Sequence, residues 1–157
     1  MNSDQILRQQ LLALVRGGNA HMSLDQAVAG FPTASMNQNP PNVSYTPWHL
    51  LEHIRLAQWD IVEFVINPQH VSPEWPKGYW PAPDAQADPS HWDETLAAIR
   101  ADLERLEAVI QDPKIDLTAE IPHAPGYTYL REVLLVADHN GYHIGEFAIL
   151  RQVMQDW

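Results

Sequence analysis

The chain has 157 residues, 45% hydrophobic and 18% charged, with a formal net charge of -11 and no cysteine. That length reads most economically as one domain over residues 1–157, able to bury about two-thirds of its unfolded surface. The acidic balance argues against nonspecific binding to nucleic acid or anionic membranes, and the lack of cysteine excludes disulfides, thiolate metal sites and a Cys nucleophile.

No apolar run approaches the roughly 20 residues that span a bilayer. The start, Met1-Asn2-Ser3-Asp4, carries no basic-then-apolar leader, so a cytoplasmic location is expected by default. From Asp4 to Val15, the residues Ile6, Leu7, Leu11, Leu14 and Val15 recur at helical intervals until Gly17-Gly18 interrupts them. Ser23-Leu24-Asp25-Gln26 matches a capping box, which predicts a short second helix ending near Gly30. Phe31 to Tyr45 is rich in Pro and Asn, lacks periodicity and reads as a loop.

Thr46-Pro47 is a helix start, a capping hydroxyl followed by proline at the first helical position. Leu50, Leu51, Ile54, Ala57, Ile61 and Phe64 then form a wide apolar face up to Ile66, and Asn67-Pro68 stops it. Asn67 to Pro89 holds six prolines together with Trp75, Tyr79 and Trp80. Loops of that length are usually functional or crossovers, and these rings suit either a pocket wall or a cover for the open side of a bundle. A third long helix is expected from Ser90 through Leu96, Ile99, Leu103, Leu106 and Ile110 to Asp112-Pro113. A Pro-containing connection leads to Thr128, the predicted cap of a last helix over Tyr129–Met154. No segment alternates like a strand. The expected fold is all-α, a four-helix bundle with long crossover loops.

Eight histidines are present, at 21, 49, 53, 70, 91, 123, 139 and 143. His70 and His91, in or beside the proline-rich loop, read as solvated. His139 and His143 are spaced by four residues, so they share one face of the last helix with Leu135, Glu146 and Leu150. Two buried imidazoles bonding to backbone or to each other would account for such a pair. That is the plainer reading of the spacing alone; the other is two ligands on one rigid face, because helical zinc sites place a His pair this way. His53 lies on the apolar face of the Thr46–Ile66 segment, where it points at the bundle core or its margin, and His49 competes for the same place one turn earlier. In bundles, metal sites are built from inward side chains on facing helices. Three imidazoles with no obvious fourth ligand would leave a position open, the mark of a catalytic rather than a structural site.

Glu146 and Asp138 are placed to orient ligands or accept protons, with a solvated helix charge the plainer reading of Asp138. Several familiar sites are absent: the His-Glu-x-x-His protease helix, the Glu-x-x-His pairs of di-iron bundles, a phosphate loop and a nucleophile elbow. Gly141, between the two histidines, weakens the helix by up to about 1 kcal/mol and suits close helix packing.

The stretches Thr46-Pro47-Trp48-His49-Leu50-Leu51-Glu52-His53-Ile54 and Asp138-His139-Asn140-Gly141-Tyr142-His143-Ile144-Gly145-Glu146 resemble the DinB/YfiT-like superfamily, four-helix proteins named after a damage-inducible bacterial gene product. Trp75-Pro76 and Gly78-Tyr79-Trp80-Pro81 look like one subgroup's crossover between helices 2 and 3. The resemblance spans nearly the whole chain. It implies that His53, His139 and His143 are ligands of a divalent cation, zinc, nickel or similar, and favours His53 over His49.

It also implies an enzyme that uses a low-molecular-weight thiol, a transferase or isomerase; the expected function is a metal-dependent enzyme acting on a small molecule, a thiol-dependent transferase or a hydrolase, with a noncatalytic, stress-related metal- or ligand-binding bundle as the alternative. A homodimer is compatible with it. Glu146 stands where relatives often carry Gln, which leaves open whether it adds a fourth ligand or a base. His21, after the double glycine, matches a recurring subgroup feature and reads as structural.

Overall fold

Local side-chain caps set where the helices begin. The computed structural model describes residues 2–155. Helix α1 (Ser3–Arg16) starts behind Asn2, which exchanges capping bonds with Gln5. The short α2 (Leu24–Val28) starts behind Ser23, with Gln26 reciprocating as its sequence predicts. Thr46 caps α3 (Pro47–Ile66), and Asp88 caps α4 (Pro89–Gln111). The expected start at Ser90 therefore moves back by one residue, because Pro89 is pre-set for the first helical position and Asp88 accepts from His91 N at 2.9 Å. Thr128 caps α5 (Tyr129–Met154), which ends on left-handed Gln155.

Helices α1, α3, α4 and α5 form the bundle: α3 packs on α4 and α5, and α1 packs on the same two helices. Two apolar clusters fill it. One gathers Leu50, Leu51 and Ile54 of α3 with Trp92, Leu96 and Ile99 of α4 and Phe147 of α5, with Phe31 stacked on Trp92. The other joins Leu11 and Val15 to Val62, Leu106, Ile110, Val133 and Val136. Between them lies a polar layer in which Asn140 Nδ2 donates to Gln58 Oε1 at 2.7 Å and Gln58 Nε2 donates to the Ile99 carbonyl at 2.6 Å. The bundle core is thus divided at the level of residues 58 and 140, near the histidines.

Two buried guanidiniums fasten the ends. Arg8 donates to the carbonyls of Ile110, Asp112 and Ile115, which holds α1 against the end of α4. Arg151 donates to the carbonyls of Ala27 and Ala29, just where α2 finishes.

The connection before α5 departs from expectation. Strands β1 (Glu120–Ile121) and β2 (Ala124–Thr128) pair antiparallel as a small hairpin. Ile121 and Ala124 are buried with Val65, and His123 Nε2 bonds the Phe64 carbonyl at 2.8 Å. Two-residue pairing is too short to leave an alternating pattern in a sequence, so packing against the end of α3 supplies its definition. Among the described residues, no helix is long and apolar enough to cross a membrane.

Candidate metal centre

The three expected imidazoles converge. His53 comes from the middle of α3, and His139 and His143 come from successive turns of α5. His53 Nε2 lies 3.1 Å from His143 Nε2 and 3.2 Å from His139 Nε2. One ring nitrogen from each residue falls within 4.8 Å of the other two, and together the three could hold a metal ion. A cation bonded at about 2.0–2.1 Å in tetrahedral geometry separates its nitrogen ligands by about 3.3–3.4 Å. The two short separations are close to that value.

Outer partners fix two of the tautomers. His53 Nδ1–H donates to the Tyr79 carbonyl at 2.7 Å, and that oxygen can only accept. His143 Nδ1–H donates to Glu146 Oε2 at 2.7 Å. With the proton of each neutral ring on Nδ1, each Nε2 turns a lone pair toward the shared centre. His53 has its pKa lowered, mainly by burial, with the neighbouring His143 adding to the effect and the Tyr79 carbonyl opposing it. His139 is lowered to about 4 by burial and then by the charges that His143 and His53 would carry. Imidazole nitrogens that converge while their rings are held from behind are a donor set suited to a cation.

His139 Nδ1 and Asn140 Oδ1 are buried without hydrogen-bond partners. The Asn140 side chain is near enough to oppose the shift at His139, yet lies outside bonding geometry.

Glu146 is an orienting group here. Oε2 takes the His143 proton and Oε1 accepts the Tyr45 hydroxyl, so both oxygens are engaged. Burial, followed by that carboxylate, raises the Tyr45 pKa. His49 stands apart from the triad: it caps α3 with Thr46, and its Nε2 bonds the Ala85 carbonyl at 2.8 Å. Asp138 is an exposed helix charge. His91 is exposed, as expected, and serves the cap of α4.

His70 differs from expectation. Its side chain is only 7% exposed, and Nε2 meets Asp60 Oδ1 at 2.6 Å. The loop folds back along α3, which brings residue 70 beside residue 60. His21 is exposed and packs over Gly141: a Cβ there would lie 3.2 Å from His21 Nε2. Gly141 thus admits a loop side chain against α5, where close helix packing was expected.

The aromatic loop serves the site in two ways. Trp80 stacks on His53 with ring centroids 4.0 Å apart and planes 6° from parallel. Trp75 and Tyr79 line a cavity of about 310 Å³ whose other walls include Ala57, Ile61, Leu135 and Asp60, and into which all three imidazoles open. Sequence reasoning missed Tyr45 and Asp60. Asp60 had a signal, an acid between Ala57 and Ile61 on the helix that carries His53. Tyr45 had none, because its partner is 101 residues away.

No curated protein and no solved structure matches this chain. The family model of the DinB superfamily matches residues 18–147, taking in both histidine-bearing segments and leaving α1 outside. With most of its length matched, the chain belongs to the DinB superfamily.

Proposed function

We propose that this protein is a divalent-metal-dependent enzyme, a single domain in which His53, His139 and His143 hold the cation and the adjoining cavity receives a small-molecule substrate. The observation that carries this reading is the approach of His53 Nε2 to within 3.1 Å of His143 Nε2 and 3.2 Å of His139 Nε2, with Nδ1 of His53 and of His143 engaged from behind. When bound, a divalent cation supplies Lewis acidity and lowers the pKa of a water or thiol that reaches it. A zinc or nickel ion fits the nitrogen donors, with softer thiolate ligation ruled out by composition.

The chain's own residues do the rest. Tyr79 and Glu146 orient two of the rings and turn their Nε2 atoms toward the centre. Trp80 covers one face of His53 and excludes water from it. Ala57, Ile61, Leu135 and Trp75 give the cavity apolar walls, and no Lys or Arg lines it. Such walls favour an uncharged, largely apolar group on the substrate. A thiol-dependent transfer and a hydrolysis both suit this arrangement.

The test is a panel of low-molecular-weight thiols with electrophiles, together with neutral esters and amides, assayed before and after chelation. Turnover lost on chelation and restored by one metal supports the enzyme. Stoichiometric metal without turnover on any substrate supports the noncatalytic metal-binding bundle instead.

A further inference from the structure

Asp60 is a buried carboxylate, and among the described residues its one ion-pair partner is His70. A buried charge needs its lone pairs satisfied, and here both oxygens are occupied by the crossover loop. Oδ1 takes His70 Nε2–H at 2.6 Å, and Oδ2 takes the Tyr79 hydroxyl at 2.6 Å. Tyr79 is also the residue whose backbone carbonyl holds His53 Nδ1. Its neighbour Trp80 stacks on the same ring. Asp60 lies two turns beyond His53 on α3, so one helix carries both a ligand and the anchor of the loop that aims it.

The loop is stiff where this matters. Gly78 N donates to the Glu74 carbonyl at 2.7 Å and Tyr79 N to the Pro76 carbonyl at 3.1 Å. A Cβ at Gly78 would fall 2.4 Å from Pro73 Cβ, a rigid ring atom, so only glycine lets this turn close. A tight turn pinned at the Tyr79 hydroxyl leaves little freedom for the backbone carbonyl of the same residue.

We propose that Asp60 is a positioning residue: through the Tyr79 hydroxyl and the turn over residues 73–80, it sets the tautomer and orientation of His53. The inference rests on the proposed metal site for one of its two readouts only. The other is read on metal-free protein.

The experiment uses untagged full-length protein and the variants Tyr79→Phe, Asp60→Asn and Gly78→Ala, with helix content checked for each. Tyr79→Phe removes one oxygen and keeps the ring and the carbonyl. Zinc affinity, measured by competition with a chromophoric chelator, is expected to fall about 10- to 100-fold in all three, the usual effect of losing a ligand's outer partner. Nitrogen-15 NMR of the metal-free protein is expected to show His53 change from a single Nδ1–H form to a mixture.

Glu63→Gln, one turn along α3, breaks an ion pair with Arg105 that touches neither Tyr79 nor His53, and should leave both readouts unchanged. Tyr79→Phe and Asp60→Asn that keep wild-type zinc affinity and a single His53 tautomer overturn the proposal, as does an equal affinity loss in Glu63→Gln. Wild-type protein that binds no zinc defeats the metal reading, while the tautomer measurement still decides the role of Asp60.

Discussion

His53 Nε2 and His143 Nε2 face each other at 3.1 Å, with their rings held from behind by the Tyr79 carbonyl and the Glu146 carboxylate. One holder is backbone and the other a side chain, so the two rings respond differently to substitution. The His143 side is the easier to probe.

Glu146→Gln should be mild and Glu146→Ala severe. An amide oxygen can still accept His143 Nδ1–H, and the amide nitrogen can donate to the Tyr45 oxygen, which reverses the Tyr45 bond without losing it. Alanine removes both. Zinc affinity is expected to drop less than about threefold with Gln and about 10- to 100-fold with Ala. Equal losses in a chelator competition would show that charge, not orientation, is what His143 needs.

Metal-free protein should weaken as pH falls. His139 titrates near 4 when folded against 6.5 when unfolded, so the unfolded chain takes up the proton first. Stability from this group is therefore complete above about pH 6.5, declines below it and stops declining below about 4. Urea midpoints between pH 7 and 4.5 are expected to fall more steeply for the wild type than for His139→Leu. Parallel slopes would contradict the assigned environment.

Arg8→Met tests the staple between α1 and α4. The guanidinium satisfies three carbonyls near the end of α4, and its side chain is 11% exposed. Leaving those acceptors without donors should lower stability by about 2–4 kcal/mol. Zinc affinity of the folded fraction should not change, because Arg8 is remote from the triad in the contacts it makes.

Gly141→Ala should be neutral or stabilising by less than about 1 kcal/mol. The atoms nearest the added Cβ belong to the His21 ring, the closest at 3.2 Å, and that exposed side chain can move. A loss above that size in thermal unfolding would mean that His21 is held more firmly than its bond to the Met22 carbonyl implies.

The helices were legible because their caps are local: Thr46-Pro47, Ser23 with Gln26 and Thr128 act within one turn of themselves. The His139–His143 pair was legible for the same reason, since a spacing of four fixes a common face. His53 against His49 was not settled by periodicity. What separates them is that His49 is consumed by the α3 cap and the Ala85 carbonyl. Tyr79's contribution to His53 is a backbone oxygen, which no residue type announces. The burial of His70 and the β1–β2 hairpin depend on how the chain folds back onto α3, a tertiary fact with no local pattern.

The most direct test is metal content of untagged protein loaded with zinc and freed of excess, compared with His53→Ala and His143→Ala. The expected result is one ion per wild-type chain and little or none in either variant, with helix content retained in both. Substoichiometric zinc in the wild type that is unaltered by either substitution would contradict a shared centre between α3 and α5.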